Sequence, residues 1–120
     1  MPLFKGQGCK STPAKALNYI TDEKKAAIVT SSWTLDDSRS YAEQFRQTVA
    51  RFHKAENFDT RKYYHFKLSC DRADGVDAAT HHRYAEAMAA ELFPSHEYVI
   101  ATHVDTKTVH SHIIVNAVSE

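Results

Sequence analysis

Three of the chain's eight histidines, His103, His110 and His112, fall within ten residues of one another, in the run Thr102-His103-Val104-Asp105-Thr106-Lys107-Thr108-Val109-His110-Ser111-His112. The flanking segments, Tyr98 to Val104 and Val109 to Val118, are rich in β-branched residues. The four residues between them, Asp105 to Thr108, then close a hairpin. That register sets Val104 opposite Val109 and His103 opposite His110. Side chains alternate along a strand and directly opposed residues share a face, so all three histidines project from one side of the ribbon. Imidazoles so placed can close on one divalent cation at roughly 2.0–2.1 Å per nitrogen and leave a coordination position open, the layout of a catalytic metal site. A polar sheet face that happens to carry histidines would explain one such residue more readily than three convergent ones, here flanked by Asp105 and Asn116. Three imidazoles suit zinc, manganese, nickel or copper.

A tyrosine is the second group of interest. Thr12-Pro13 pairs a capping hydroxyl with proline at the first helical position, and Ala16, Leu17 and Ile20 continue as an apolar stripe. Tyr19 lies off that stripe. Its phenol therefore points away from the buried face, close to Lys15, Lys24 and Lys25. Taken alone, this is the position of an amphipathic surface residue.

The elements that must hold these groups can be read in order. Leu3 to Gln7 forms a short strand with a turn behind it at Gly6 and Gly8. Ala26 to Ser32 forms another, and Asp36, Asp37 and Ser38 offer caps for a helix whose Tyr41, Phe45, Val49 and Phe52 recur at helical spacing. Tyr63 to Cys70 alternates, with Tyr64, Phe66, Leu68 and Cys70 on a buried face and Tyr63, His65, Lys67 and Ser69 on a polar one. Asp77 caps a helix carrying Tyr84, Ala87, Met88 and Leu92, which Pro94 stops; His81 and His82 are expected to face solvent. The architecture expected is α/β of the α+β kind: a mainly antiparallel sheet, helices packed on one face, and the histidine metal site on the other. Ile100, Thr102, Ile113 and Val115 would meet the two longer helices. His65 and Ser69 would join His103, His110, His112 and Asn116 on the open face.

Composition narrows the class. With 120 residues and 42% hydrophobic content, residues 1–120 suit a single domain with one core. No apolar run is long enough to span a bilayer and the N-terminus lacks the apolar stretch of a signal peptide, so a cytoplasmic protein with no membrane partner is expected. Cys9 and Cys70 are far apart and read as free thiols. Fifteen basic residues balance fifteen acidic ones, but unevenly: residues 1–70 carry twelve basic against seven acidic, and residues 71–105 two against seven. A basic first half is compatible with a phosphate-backbone partner without requiring one.

The run from Thr102-His103-Val104-Asp105 through His110-Ser111-His112-Ile113-Ile114-Val115-Asn116 resembles the third motif of the relaxases, the mobilisation nucleases that nick plasmid or transposon DNA for transfer between bacteria. Lys15-Ala16-Leu17-Asn18-Tyr19-Ile20, followed by Lys24 and Lys25, is similar to their first motif, and Tyr64-His65-Phe66-Lys67-Leu68-Ser69 to their second. The three motifs occur in the family's order and span nearly the whole chain. One departure is Ser111, where the wider superfamily has a hydrophobic residue between the two close histidines. It faces away from the metal side, so the question it raises is one of packing.

The resemblance implies that His103, His110 and His112 hold one divalent cation (manganese, magnesium or zinc) and that Tyr19 attacks the scissile phosphate. It implies that Asp105 orients a ligand histidine or helps take the tyrosine proton. A phenol is mostly protonated at neutral pH, so a nearby base and cation would raise its reactivity. Ser69, His65 and Asn116 would contact DNA or brace the ligands, and Lys15, Lys24 and Lys25 would help to hold single-stranded DNA at an origin of transfer. Accessory mobilisation proteins and a bacterial cytoplasmic setting follow from the same resemblance. Relaxases of this type are usually longer, so a chain that stops directly after the third motif is expected to be an N-terminal fragment of a longer protein. The alternatives are a replication initiator or single-strand transposase of the same superfamily, in which the nucleophilic tyrosine follows the histidine pair, or a metal-stabilised DNA-binding module without catalysis.

Overall fold

A computed structural model of the chain describes residues 3–9, 13–22, 26–32, 35–51, 63–71, 75–104 and 108–119. Five strands and three helices follow one another as β1 (Leu3–Cys9), α1 (Ala14–Ile20), β2 (Ala26–Ser31), α2 (Tyr41–Arg51), β3 (Tyr63–Asp71), α3 (Ala78–Leu92), β4 (His96–Val104) and β5 (Thr108–Ser119). The strands make one antiparallel sheet in the order β1-β3-β5-β4-β2. This is the expected α+β architecture. The hairpin pairs Val104 with Val109 and His103 with His110, the register expected from a four-residue connection. β5 lies at the centre of the sheet. Ser111 to Asn116 are buried on both faces, which suits the nearly continuous apolar run Ile113-Ile114-Val115.

Helices cover both faces of the sheet. α3 lies where expected, on the face opposite the histidines, where Ala85 and Ala89 pack on Ile100, Ile113, Val115 and Leu68. α2 does not join it. Leu17 and Ile20 of α1 and Phe45 of α2 pack instead on Val99, Ala101 and Ile114, residues that alternate onto the histidine side. Two apolar faces on one sheet need two covers, and α3 alone supplies only one. The same packing buries Tyr63, placed on the polar face by alternation, to 7% exposure.

α3 is also rotated from the expected stripe. Asp77 does cap it, accepting a hydrogen bond from Thr80 N at 2.8 Å. Its buried face, however, consists of His81, His82, Ala85 and Ala89, while Tyr84 and Leu92 are more than half exposed. The reason is polar complementarity. His81 Nδ1 lies 2.8 Å from Ser111 Oγ, His82 Nδ1 lies 2.7 Å from Thr102 Oγ1, and the two hydroxyls are 2.6 Å apart. On its other side His82 Nε2 meets Thr30 Oγ1 at 2.6 Å, and that hydroxyl lies 3.2 Å from Glu86 Oε2. The serine between the two close histidines is thus matched by histidines of α3, because a buried hydroxyl must find a partner. Burial holds both of these imidazoles below the usual histidine range.

Three smaller features complete the frame. β1 runs straight through Gly6 and Gly8 instead of turning there. Gly6 is required because the Phe66 ring occupies the space that a Cβ would fill, and Phe66 stacks on Phe4 at 5.4 Å. α2 begins after Ser40, whose hydroxyl accepts from Glu43 N, while Asp36 closes its own turn onto Ser38. Thr12 and Phe52, expected as a cap and a core residue, lie outside the described residues.

Candidate metal centre and active site

His103, His110 and His112 converge at the hairpin end of the sheet. Their ring centroids are 4.8–5.3 Å apart, and one ligand nitrogen from each lies within 4.8 Å of the others. Hydrogen bonds orient the rings of His103 and His112. His103 Nε2 lies 2.8 Å from the carbonyl oxygen of Ile20; a carbonyl can only accept, so Nε2 carries the hydrogen and the lone pair of this imidazole is on Nδ1. His112 Nδ1 lies 2.8 Å from His65 Nε2, while its own Nε2 is buried without a partner among the described residues. A buried, unpartnered imidazole nitrogen in a cluster of three is what a cation site requires of its ligands. Thr108 Oγ1 stands 3.4 Å from His110 Nδ1.

The electrostatics favour a neutral His112. His112 is pushed down to about 3, first by burial and then by the neighbouring His65, His103, His110 and Lys67. Burial, followed by Lys67, also lowers His65. At neutral pH His112 therefore presents the uncharged form that coordinates a metal.

Tyr19 reaches this cluster because of where α1 ends. Leu17 and Ile20 bury the apolar stripe, and the bond from His103 to the Ile20 carbonyl ties the last turn of the helix to β4. The Tyr19 ring then stands edge-on to two histidines, with centroids 6.2 Å from His103 and 6.3 Å from His112, and is 51% exposed. Tyr63, the other tyrosine that alternation places on the polar side of the sheet, is buried.

The remaining expected residues divide clearly. His65 is at the site, bonded to His112. Ser69 pairs with His110 across β3 and β5 and is partly exposed beside it. Lys15 is exposed on α1, one turn before Tyr19. Asn116 is away from the opening and fully buried, where its Nδ2 donates to the Phe45 carbonyl and to Glu97 Oε1 at 3.1 Å each and its Oδ1 accepts from Val118 N. It braces α2 against the sheet, and its burial leaves DNA no access to it. Asp105, Lys24 and Lys25 lie outside the described residues. Lys67, given no role from its place on the polar side of an alternating strand, pairs with His112. No described helix is long and apolar enough to cross a membrane.

No curated protein matches the sequence. The fold is similar to that of a solved structure, the MobM relaxase domain (MOBV; Mob_Pre) bound to plasmid pMV158 oriT DNA in a manganese-bound crystal. The TM-score is 0.69 at 18% identity, over 95% of this chain and 67% of that one. Residues 18–120 match the family described as relaxase, MobA/VirD2-like, nuclease domain. That stretch opens on Asn18-Tyr19 and takes in the whole histidine hairpin, so the chain belongs to the MobA/VirD2-like relaxase family and is a DNA nuclease domain of relaxase type.

Proposed function

We propose that this domain is a metal-dependent, strand-specific endonuclease and transesterase that nicks single-stranded DNA at an origin of transfer, with Tyr19 as its nucleophile. The observation that carries this reading is the exposed Tyr19 ring set edge-on to His103 and His112. Bound by His103, His110 and His112, a divalent cation would place positive charge on a nonbridging phosphate oxygen, where charge gathers in the transition state. The Tyr19 oxygen attacks phosphorus, the bond to the 3′ oxygen breaks, and the phosphoryl group stays on the tyrosine as a 5′-phosphotyrosine. The phenol proton passes to Asp105 or to solvent, and the departing strand end takes up a proton to become a 3′-hydroxyl. Ester exchange of this kind conserves the bond for later rejoining.

The chain's own residues prepare the step. The Ile20 carbonyl fixes the His103 tautomer and docks the helix that carries Tyr19. His65 holds His112 with its Nε2 available. Ser69 and Lys15, with Lys24 and Lys25, are the groups proposed to meet the strand. Manganese, present in the crystal of the similar MobM domain, is the first cation to test, then magnesium and zinc. Accessory mobilisation proteins and the bacterial cytoplasm complete the proposed setting. An upstream Tyr19 at the triad favours the relaxase order over that of replication initiators and transposases, whose tyrosine follows the histidine pair.

The test is covalent trapping. Incubated with manganese and a single-stranded oligonucleotide spanning a nick site, the wild type should yield a denaturation-resistant adduct, and Tyr19→Phe none, with folding and metal binding intact. Tyr63→Phe should still form it. An adduct that survives Tyr19→Phe, or that mass spectrometry maps elsewhere, refutes the assignment. A wild type that binds single-stranded DNA and metal but never forms an adduct would be the non-catalytic module.

A further inference from the structure

The open part of the histidine face lies toward the β1 edge of the sheet. α1 and α2 cover Val99, Ala101 and Ile114, but Lys5, Gln7 and Lys67 are exposed. Register places two lysines in line with a metal ligand: Lys67 of β3 is directly opposite His112 of β5, and Lys5 of β1 is directly opposite Lys67. Directly paired residues share a face, so both side chains emerge on the side of the triad. Neighbouring strands are about 4.8 Å apart, which sets the two lysines roughly 5 and 10 Å from His112 along one row. Among the described residues neither amine has a carboxylate partner. Two unneutralised ammonium groups that lead away from a candidate cation site make a short cationic track.

Resting on the reading of the site as a nuclease of single-stranded DNA, we infer that Lys67 and Lys5 form the phosphate-binding flank of the centre, Lys67 holding a backbone phosphate next to the scissile one and Lys5 the phosphate beyond it. Ammonium groups suit this task because they act as point charges on phosphate oxygens without reading the base. The flank also gives the strand a direction. DNA would cross from the exposed β1–β3 surface to the triad and Tyr19, and the opposite side of the triad is closed by α1, whose Ile20 carbonyl sits on His103. Lys67 is a positioning residue in this scheme: it orients the phosphate chain and takes no part in bond making.

The experiment measures binding of a fluorescently labelled oligothymidylate by anisotropy over a range of potassium chloride, with and without manganese. For single strands each phosphate contact contributes about 0.7 to the slope of log affinity against log salt. Lys67→Gln should lower that slope by about 0.7 and the Lys5→Gln, Lys67→Gln pair by about 1.4, and Lys67→Arg should restore it. Manganese affinity by calorimetry should not fall in Lys67→Gln, because removing a neighbouring positive charge cannot weaken cation binding at His112. A residue that merely supported the fold would lose both. Wild-type binding with a slope unchanged in both glutamine variants overturns this inference alone; a wild type that binds no single-stranded DNA overturns the functional reading with it.

Discussion

Replacing His65 with phenylalanine tests how the metal centre is assembled. His65 Nε2 lies 2.8 Å from His112 Nδ1 and partly inside the protein, so it fixes which nitrogen of His112 faces the cluster. For His112 Nε2 to coordinate, Nδ1 must carry the hydrogen and donate it to His65. Phenylalanine preserves the ring's bulk but removes the acceptor, which leaves a buried N–H unpartnered, at a cost of about 1–3 kcal/mol. His112 can then turn or adopt the other tautomer, and loss of such a supporting group typically weakens metal binding about 10–100-fold. That corresponds to roughly 1.4–2.8 kcal/mol of binding free energy. Calorimetric titration with manganese should therefore show a weaker His65→Phe variant, while His65→Gln, whose amide oxygen can accept from Nδ1, should recover part of the loss. Unfolding in excess chelator separates the two effects, since only the folding cost persists there. Equal manganese affinity in wild type and His65→Phe would refute the reasoning and leave His65 as a bystander.

The remaining expectations are simpler. The His110→Ala, His112→Ala pair should abolish specific cation binding with the fold retained, because the core of Phe45, Ile100, Ile113 and Ile114 does not depend on these rings; calorimetry showing unaltered binding would remove the triad as the site. Asp105→Asn should fold and retain weak nicking, reduced about 10–100-fold, in the trapping assay; activity equal to wild type would exclude Asp105 from the chemistry. Stability of the metal-free protein should decline as pH falls below about 6.5. His81 and His82 are held below that value by burial, so the unfolded chain takes up their protons first and gains on the folded one as acid is added. Urea unfolding at a series of pH values should show this slope, and a flat profile between pH 7 and 5 would refute it.

The local part of the site was legible in the sequence. A four-residue connection between two β-branched segments dictates which residues oppose one another, and a period of two then puts His103, His110 and His112 on one face whatever surrounds them. Likewise the helical spacing of Leu17 and Ile20 leaves Tyr19 outside the buried stripe. Both are short-range consequences of backbone geometry. The polar residues were not legible in this way, because histidine, serine, threonine and tyrosine can be stable either in water or against a buried partner. His81 and His82 are buried because Thr102 and Ser111 face α3 with hydroxyls, and Asn116 is buried because the Phe45 carbonyl and Glu97 receive its amide. Strand order decided the rest. Only the placement of β3 beside β5 brings His65 and Lys67 to His112, and only the docking of α1 across β4 brings Tyr19 there. Both depend on contacts between residues far apart in the chain, set by the need to cover two apolar faces of one sheet.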